Sequence, residues 1–117
     1  MRLTETEFPE GQPVDGYGPG FVRVGGVVHR GPVLVLPSGV VPWGGWADTG
    51  TLLAAAAALD VLFVGTGAAL SPLPAPFRAA LEGAGLAFEP MGTPSACRTY
   101  NVLLAEGRRV GLALIPV

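Results

Sequence analysis

The closing stretch of the chain, Met91 to Val117 (MGTPSACRTYNVLLAEGRRVGLALIPV), leaves few folds open. Thr93 is placed to cap a helix that takes Pro94 in its first turn, and Gly107 is placed to end it. The apolar run from Val110 to Ile115 then reads as a buried strand. A capped helix running into such a strand is a core unit, and the rest of the chain must be arranged around it. Arg98, Thr99, Asn101 and Glu106 are polar residues that a purely structural helix would not choose. The same unit is therefore the first place to look for a site.

Upstream, residues 1–20 carry Pro9, Pro13 and Pro19 among glycines without a sustained period, which predicts an irregular lead-in with a turn at Asp15-Gly16-Tyr17-Gly18. Phe21 to Val24 and Val27 to Arg30 flank Gly25-Gly26, the two-residue spacing of a β-hairpin with a primed turn. A third apolar run, Val33 to Leu36, follows. Pro37-Ser38-Gly39 and Pro42-Trp43-Gly44-Gly45-Trp46 then belong to turns and loops. Asp48 or Thr49 caps a helix over Thr51 to Leu59, apolar nearly all round and so expected to be well buried. Val61 to Val64 reads as an interior strand ending in Gly65-Thr66-Gly67, and a helix over Pro76 to Ala84 aligns Phe77, Ala80, Leu81 and Ala84 before Gly85 stops it. Leu86 to Phe88 is the next strand, followed by Glu89-Pro90. A hairpin followed by alternating strands and helices predicts one α/β domain over residues 1–117, with a mainly parallel or mixed sheet covered by helices.

Composition narrows the function. At 117 residues, half of them apolar and 14% charged, the chain can bury one real core and is not disordered. The longest membrane candidate, Leu52 to Val64, is interrupted by Asp60 and falls short of the ~20 residues a spanning helix needs, so no transmembrane segment is predicted. The acidic start, MRLTETEFPE, lacks the apolar stretch of a secretory signal. All 7 basic residues are arginines and acids outnumber them at 9, which argues against nucleic acid as a partner. Cys97 is the single cysteine and His29 the single histidine, so neither an internal disulfide nor a Cys/His metal site is expected. A cytoplasmic protein without metal or cofactor is the expectation.

Four stretches in order, DGYGPGFVRV at 15–24, VLVLPSGVVPW at 33–43, DVLFVGTG at 60–67 and MGTPSACRTYNVLLAEGRRVGLALI at 91–115, resemble one small family. It includes the mitochondrial respiratory complex I assembly factor three, the adipogenesis-associated domain protein and many bacterial and archaeal proteins. The resemblance spans nearly the whole chain and implies a three-layer α/β fold with a central mixed sheet. The mitochondrial members imply a role in assembling an inner-membrane respiratory complex through protein contacts. Trp46 and the glycine pair before it fall outside the family pattern.

Two surfaces are candidates for function. Gly65, Thr66 and Gly67 follow one strand, and Thr93 and Ser95 open the helix after another, with Arg98 and Asn101 beyond them. Ligands of α/β sheets collect beyond the carboxyl ends of strands, so this set suits a small anion; the competing reading is a tight connection plus an ordinary capped helix. The helix dipole and Arg98 would lower the Cys97 thiol pKa, against which stand the absence of a nearby base and the habit of free cysteines to pack inertly. His29 reads as a strand surface residue. Asn101 has a structural reading as the tie to a loop, and Glu106 as the partner of Arg108 or Arg109. No catalytic set is complete. Trp43 and Trp46 on their glycine-rich loop form the other surface, one for a protein partner, unless Trp43 plugs an end of the core. The favoured reading is a non-enzymatic interaction or complex-assembly module with a protein partner. The alternative is a small-anion-binding protein or enzyme at the GTG loop and last helix. Homodimerisation is one way to protect the edge strands of either.

Overall fold

Glycine punctuation turns the first apolar runs into an antiparallel sheet. In the computed structural model, which describes residues 11–117, Val14–Gly18 (β1), Phe21–Val24 (β2) and Val27–Arg30 (β3) form a three-stranded sheet in the order β1-β2-β3. Gly25 and Gly26 both have positive φ, +56° and +83°, as the primed turn between β2 and β3 requires. The irregular lead-in expected over residues 1–20 is corrected among the described residues: Val14–Gly18, which includes the turn expected at 15–18, is a strand, and residues 1–10 lie outside the described residues. Pairing with β2 overrides the local turn chemistry of Asp15-Gly16, which survives as a register shift between Val14 and Gly16.

The second sheet has five strands, β5-β4-β8-β6-β7, from Val33–Leu36 (β4), Gly39–Pro42 (β5), Val61–Thr66 (β6), Phe88–Met91 (β7) and Val110–Ile115 (β8). Residues 39–42, whose ends Gly39 and Pro42 are expected in turns and loops, fold back on β4 through the two-residue turn Pro37-Ser38. β8 lies at the centre, antiparallel to β4 and parallel to β6. β7 falls further along the chain than the expected Leu86 to Phe88 and includes Pro90, a residue that an edge strand tolerates.

Alternation within the apolar runs assigns each side chain to a face. Val33, Val35, Phe63, Val110, Leu112 and Leu114 pack with Val14, Val22 and Val24 of the first sheet and with Ala96, Cys97, Tyr100 and Leu104 of Thr93–Ala105 (α3). Leu34, Leu36, Leu62, Val64 and Ala113 face the other way, onto Phe77 and Leu81 of Ala75–Gly83 (α2), Leu52 of Gly50–Ala54 (α1), and Trp43. The result is three layers with a mixed sheet in the middle. The helix expected over Thr51 to Leu59 is not well buried: it breaks after Ala54 into a 3-10 turn at Ala56–Ala58, and Ala54, Ala57 and Ala58 are exposed. Leu52 and Leu59 anchor it, since each buried leucine contributes roughly 1.5–3 kcal/mol while alanines offer little area.

Gly65 fixes how closely α3 approaches the sheet. A Cβ there would lie 2.6 Å from Leu114 Cδ2, 2.6 Å from Thr93 Oγ1 and 3.1 Å from the Thr93 Cα. Gly65→Ala therefore forces backbone apart and is expected to lower stability by about 1–3 kcal/mol in urea unfolding. An unchanged midpoint would show that α3 can retreat without loss.

Candidate functional site

The carboxyl end of β6 and the start of α3 are tied together at one hydroxyl. The Gly67 N–H donates to Thr93 Oγ1 at 2.9 Å, and that hydroxyl donates to the Ile115 carbonyl at 2.6 Å. The Thr93 N–H donates to the Gly67 carbonyl at 2.7 Å. Thr93 is the first helical residue and not the cap as expected; Gly92 occupies that position, because the threonine side chain is engaged by β6 and β8. Thr66 Oγ1 donates to the Ala69 carbonyl at 2.7 Å and accepts the Ser71 N–H at 3.0 Å, folding the following loop back. That loop covers the start of α3: a Cβ on Gly92 would come within 3.5 Å of Ala68 and Ala69.

Of the residues singled out for an anion, the structure gathers Gly65, Thr66, Gly67 and Thr93 into this knot. Ser95 and Arg98 stand apart from the knot, with Arg98 Nη2 donating to Ser95 Oγ at 3.2 Å, and Arg98 lines a cleft against β1 together with Asn101. Asn101 lies further along and faces β1. Its Oδ1 accepts the Val14 N–H and its Nδ2 donates to the Val14 carbonyl, both at 2.8 Å. The Tyr100 hydroxyl donates to the Gln12 carbonyl at 2.9 Å. Two neighbouring side chains of α3 thus hold the strand that opens the first sheet.

Cys97 is buried beside them, under a cleft of about 170 Å3 between β1 and α3. Burial pushes its thiol up to about 11, a shift that the neighbouring Arg98 only partly offsets. It is a thiol at neutral pH, opposite to the lowered value that the dipole and Arg98 alone would give. Burial also raises the Tyr100 phenol.

The two tryptophans separate. Trp43 is only 4% exposed, and its Nε1–H donates to the Asp48 carbonyl at 2.7 Å. It plugs the core. Trp46 is half-buried, edge-on to Trp43 at 5.3 Å between centroids and to Phe77 at 5.0 Å. A further apolar cleft, about 340 Å3, is lined by Leu70, Ser71, Pro72, Leu73, Arg78 and Pro90 beyond β6 and β7. Leu70 is 64% exposed beside it. Sequence reasoning passed over this cleft, although its location beyond parallel strand ends and the Ser71-Pro72-Leu73-Pro74 run were available signals.

Sequence reasoning also misassigned an ion pair. Arg108 and Arg109 meet Asp60, not Glu106, with Arg109 Nη2 2.8 Å from Asp60 Oδ1. The cause is register: Val61 pairs with Val110, which sets the residues preceding β6 and β8 side by side. The hydrogen bond from the Arg109 guanidinium, with its backbone N–H, holds the Asp60 carboxyl below its ordinary value. Among the described residues no cluster of His, Cys, Asp or Glu is arranged to hold a metal ion, and no helix is long and apolar enough to cross a membrane.

Comparison with known proteins places this geometry. The family described as "Protein of unknown function (DUF498/DUF598)" matches residues 14–115. The chain belongs to that family. An uncharacterized protein of Rhodobacter capsulatus is 49% identical over the full chain and 94% of its own length. NADH dehydrogenase (ubiquinone) 1 alpha subcomplex assembly factor 3 of Mus musculus is 35% identical over 99% of this chain, which spans 66% of that relative. A crystal structure described as an outer membrane protein from Bartonella henselae superposes with a TM-score of 0.83 at 35% identity, covering 95% of this chain and 99% of that one. The family resemblance read from the four sequence stretches therefore holds, and with it the α/β fold.

Two outcomes follow from the α3 contacts. Asn101→Ala strands both Val14 backbone groups and is expected to cost about 1–3 kcal/mol, with faster amide exchange through β1; exchange confined to α3 would show that β1 does not depend on the amide. For Cys97 the folded pKa, about 11, exceeds the ordinary 9.0, so its contribution is complete below about pH 9 and is lost as pH rises toward 11. Cys97→Ala is expected to flatten that alkaline decline in a series of unfolding curves. An equally steep decline would assign it wholly to other groups.

Proposed function

We propose that this chain is a non-enzymatic interaction module that helps a multisubunit complex assemble, gripping a protein partner through an apolar surface around Trp46 and Leu70. The observation that carries the reading is the cleft of about 340 Å3 beside the exposed Leu70. Leu73 of that cleft is buried in the same apolar cluster as Phe77, against which Trp46 packs, so both features rest on one support. Tryptophans seated in well-packed pockets are enriched at the energetic centre of protein interfaces, and an apolar rim excludes water around them. The polar residues gathered at the GTG loop, by contrast, direct their hydrogen bonds to one another and to neighbouring backbone.

A relative named as an assembly factor of NADH dehydrogenase supports the same direction. By this reading the client is a subunit or subcomplex of a respiratory enzyme, met from the cytoplasmic side. Trp43 contributes indirectly, by holding Trp46 edge-on.

The test is deletion of the gene in the organism that encodes the chain, followed by native electrophoresis of solubilised membranes. Accumulated subcomplexes, cleared by the parent chain but not by Leu70→Glu, are the expected result. Leu70 is exposed, so the variant should melt with the parent. Normal assembly in the deletion strain, or full rescue by Leu70→Glu, would overturn the reading.

A further inference from the structure

Four strands stand at sheet edges, β1 and β3 in one sheet and β5 and β7 in the other. Exposed edges template unwanted pairing, and proteins blunt them with prolines, bulges or covering groups. Three edges here are blunted. Asn101 occupies both backbone groups of Val14 on β1, which also carries a register shift; β5 ends in Pro42, and β7 contains Pro90. Among the described residues β3 has none of these devices, and it exposes Val27 at 57% and Val28 at 48%.

We propose that β3 pairs antiparallel with β3 of a second copy about a two-fold axis at Val28, joining the two three-stranded sheets into one of six. Hydrogen-bond parity fits. The primed turn closes on the pair Val24 and Val27, and the Gly31 N–H donates to the Gly20 carbonyl at 3.0 Å, so odd-numbered residues of β3 face β2. The N–H and C=O of Val28 and Arg30 consequently point to the open side. With the axis at Val28, the two Val28 residues exchange both hydrogen bonds and pair their side chains on one face.

Charge fits as well. The same axis sets Arg30 of one copy opposite Gly26 of the other. The Gly26 N–H is bound by the Asp15 carboxylate, and Asp15 also approaches Arg23 at 3.9 Å. Arg23 and Val28 are cross-strand partners, as are Phe21 and Arg30, so Arg23, Val28 and Arg30 share a face. Arg30 now lies over the Phe21 ring at 5.9 Å and is free to turn toward the Asp15 of the second copy. The self-complementary pattern, apolar at the axis and opposite in charge on either side, selects another copy of this chain over an unrelated strand. A four-residue strand makes a small interface, so the dimer is a weak one that concentration controls. This inference uses a different surface from the Leu70 cleft and does not rest on the assembly reading.

Sedimentation of the purified chain over a concentration series up to the millimolar range tests it. The parent is expected to pass from monomer to dimer. Val28→Arg, which sets two like charges at the axis, should remain monomeric, while Val102→Arg, at a somewhat more exposed valine on α3, should dimerise as the parent does. A second readout covers any effect on folding. Paired residues at the axis have Cα atoms about 5.5 Å apart, within disulfide reach. Val28→Cys should therefore form a covalent dimer under oxidised glutathione faster than Val102→Cys. A parent that is monomeric throughout, a Val28→Arg variant that still dimerises, or equal cross-linking of the two cysteine variants would each overturn the proposal.

Discussion

The Thr93 hydroxyl stands where three segments converge, accepting from the β6 loop and donating to the end of β8 while its own backbone opens α3. It seats the helix against the sheet, and Gly65 makes room for it by lacking a side chain. The geometry is demanding because the hydroxyl is buried, where an unmade hydrogen bond costs more than a made one contributes. Once α3 is seated, Asn101 and Tyr100 are in position to reach the backbone of residues 12 and 14. The first sheet is thereby tied to the second through the helix, and Val14, Val22 and Val24 complete the apolar layer beneath it.

This dependence explains why chemistry-bearing residues serve architecture here. A threonine, an asparagine and glycines at a strand end have the composition of a binding loop, yet their donors and acceptors close on neighbouring backbone. The surface proposed for recognition is apolar, and the one proposed for self-association lies at a strand edge. Such surfaces read shape and backbone pattern, which suits contact with other chains.

Much of the fold was legible. The closing helix and strand, the primed hairpin and the strand before Gly65 carry their signals locally, in periodicity and glycine placement. The elements that went astray depend on distant partners. Asp15 to Gly18 reads as a turn until β2 pairs with it, and Val40-Val41 is too short a run to announce a strand without β4 beside it. The Asp60 ion pair exists only through the parallel register of β6 and β8. At the candidate site, Gly67 and Thr93 meet beyond the strand ends, and the sequence could not show that they satisfy each other. Burial of Trp43 and exposure of Leu70 are likewise properties of the packed layers.

The position of β8 bears on how the molecule is made. It follows every other element in the chain, yet it is the central strand, lying between β4 and β6. During synthesis β4 and β6 have emerged while the space between them is vacant, and the five-stranded sheet closes only when residues 110–115 have left the ribosome. Until then Leu34, Val35, Leu62 and Phe63 lack their central neighbour, and the nascent chain presents apolar strands that have no partner between them. The three-stranded sheet shares the same wait, because Val14, Val22 and Val24 pack on residues of β8 and α3.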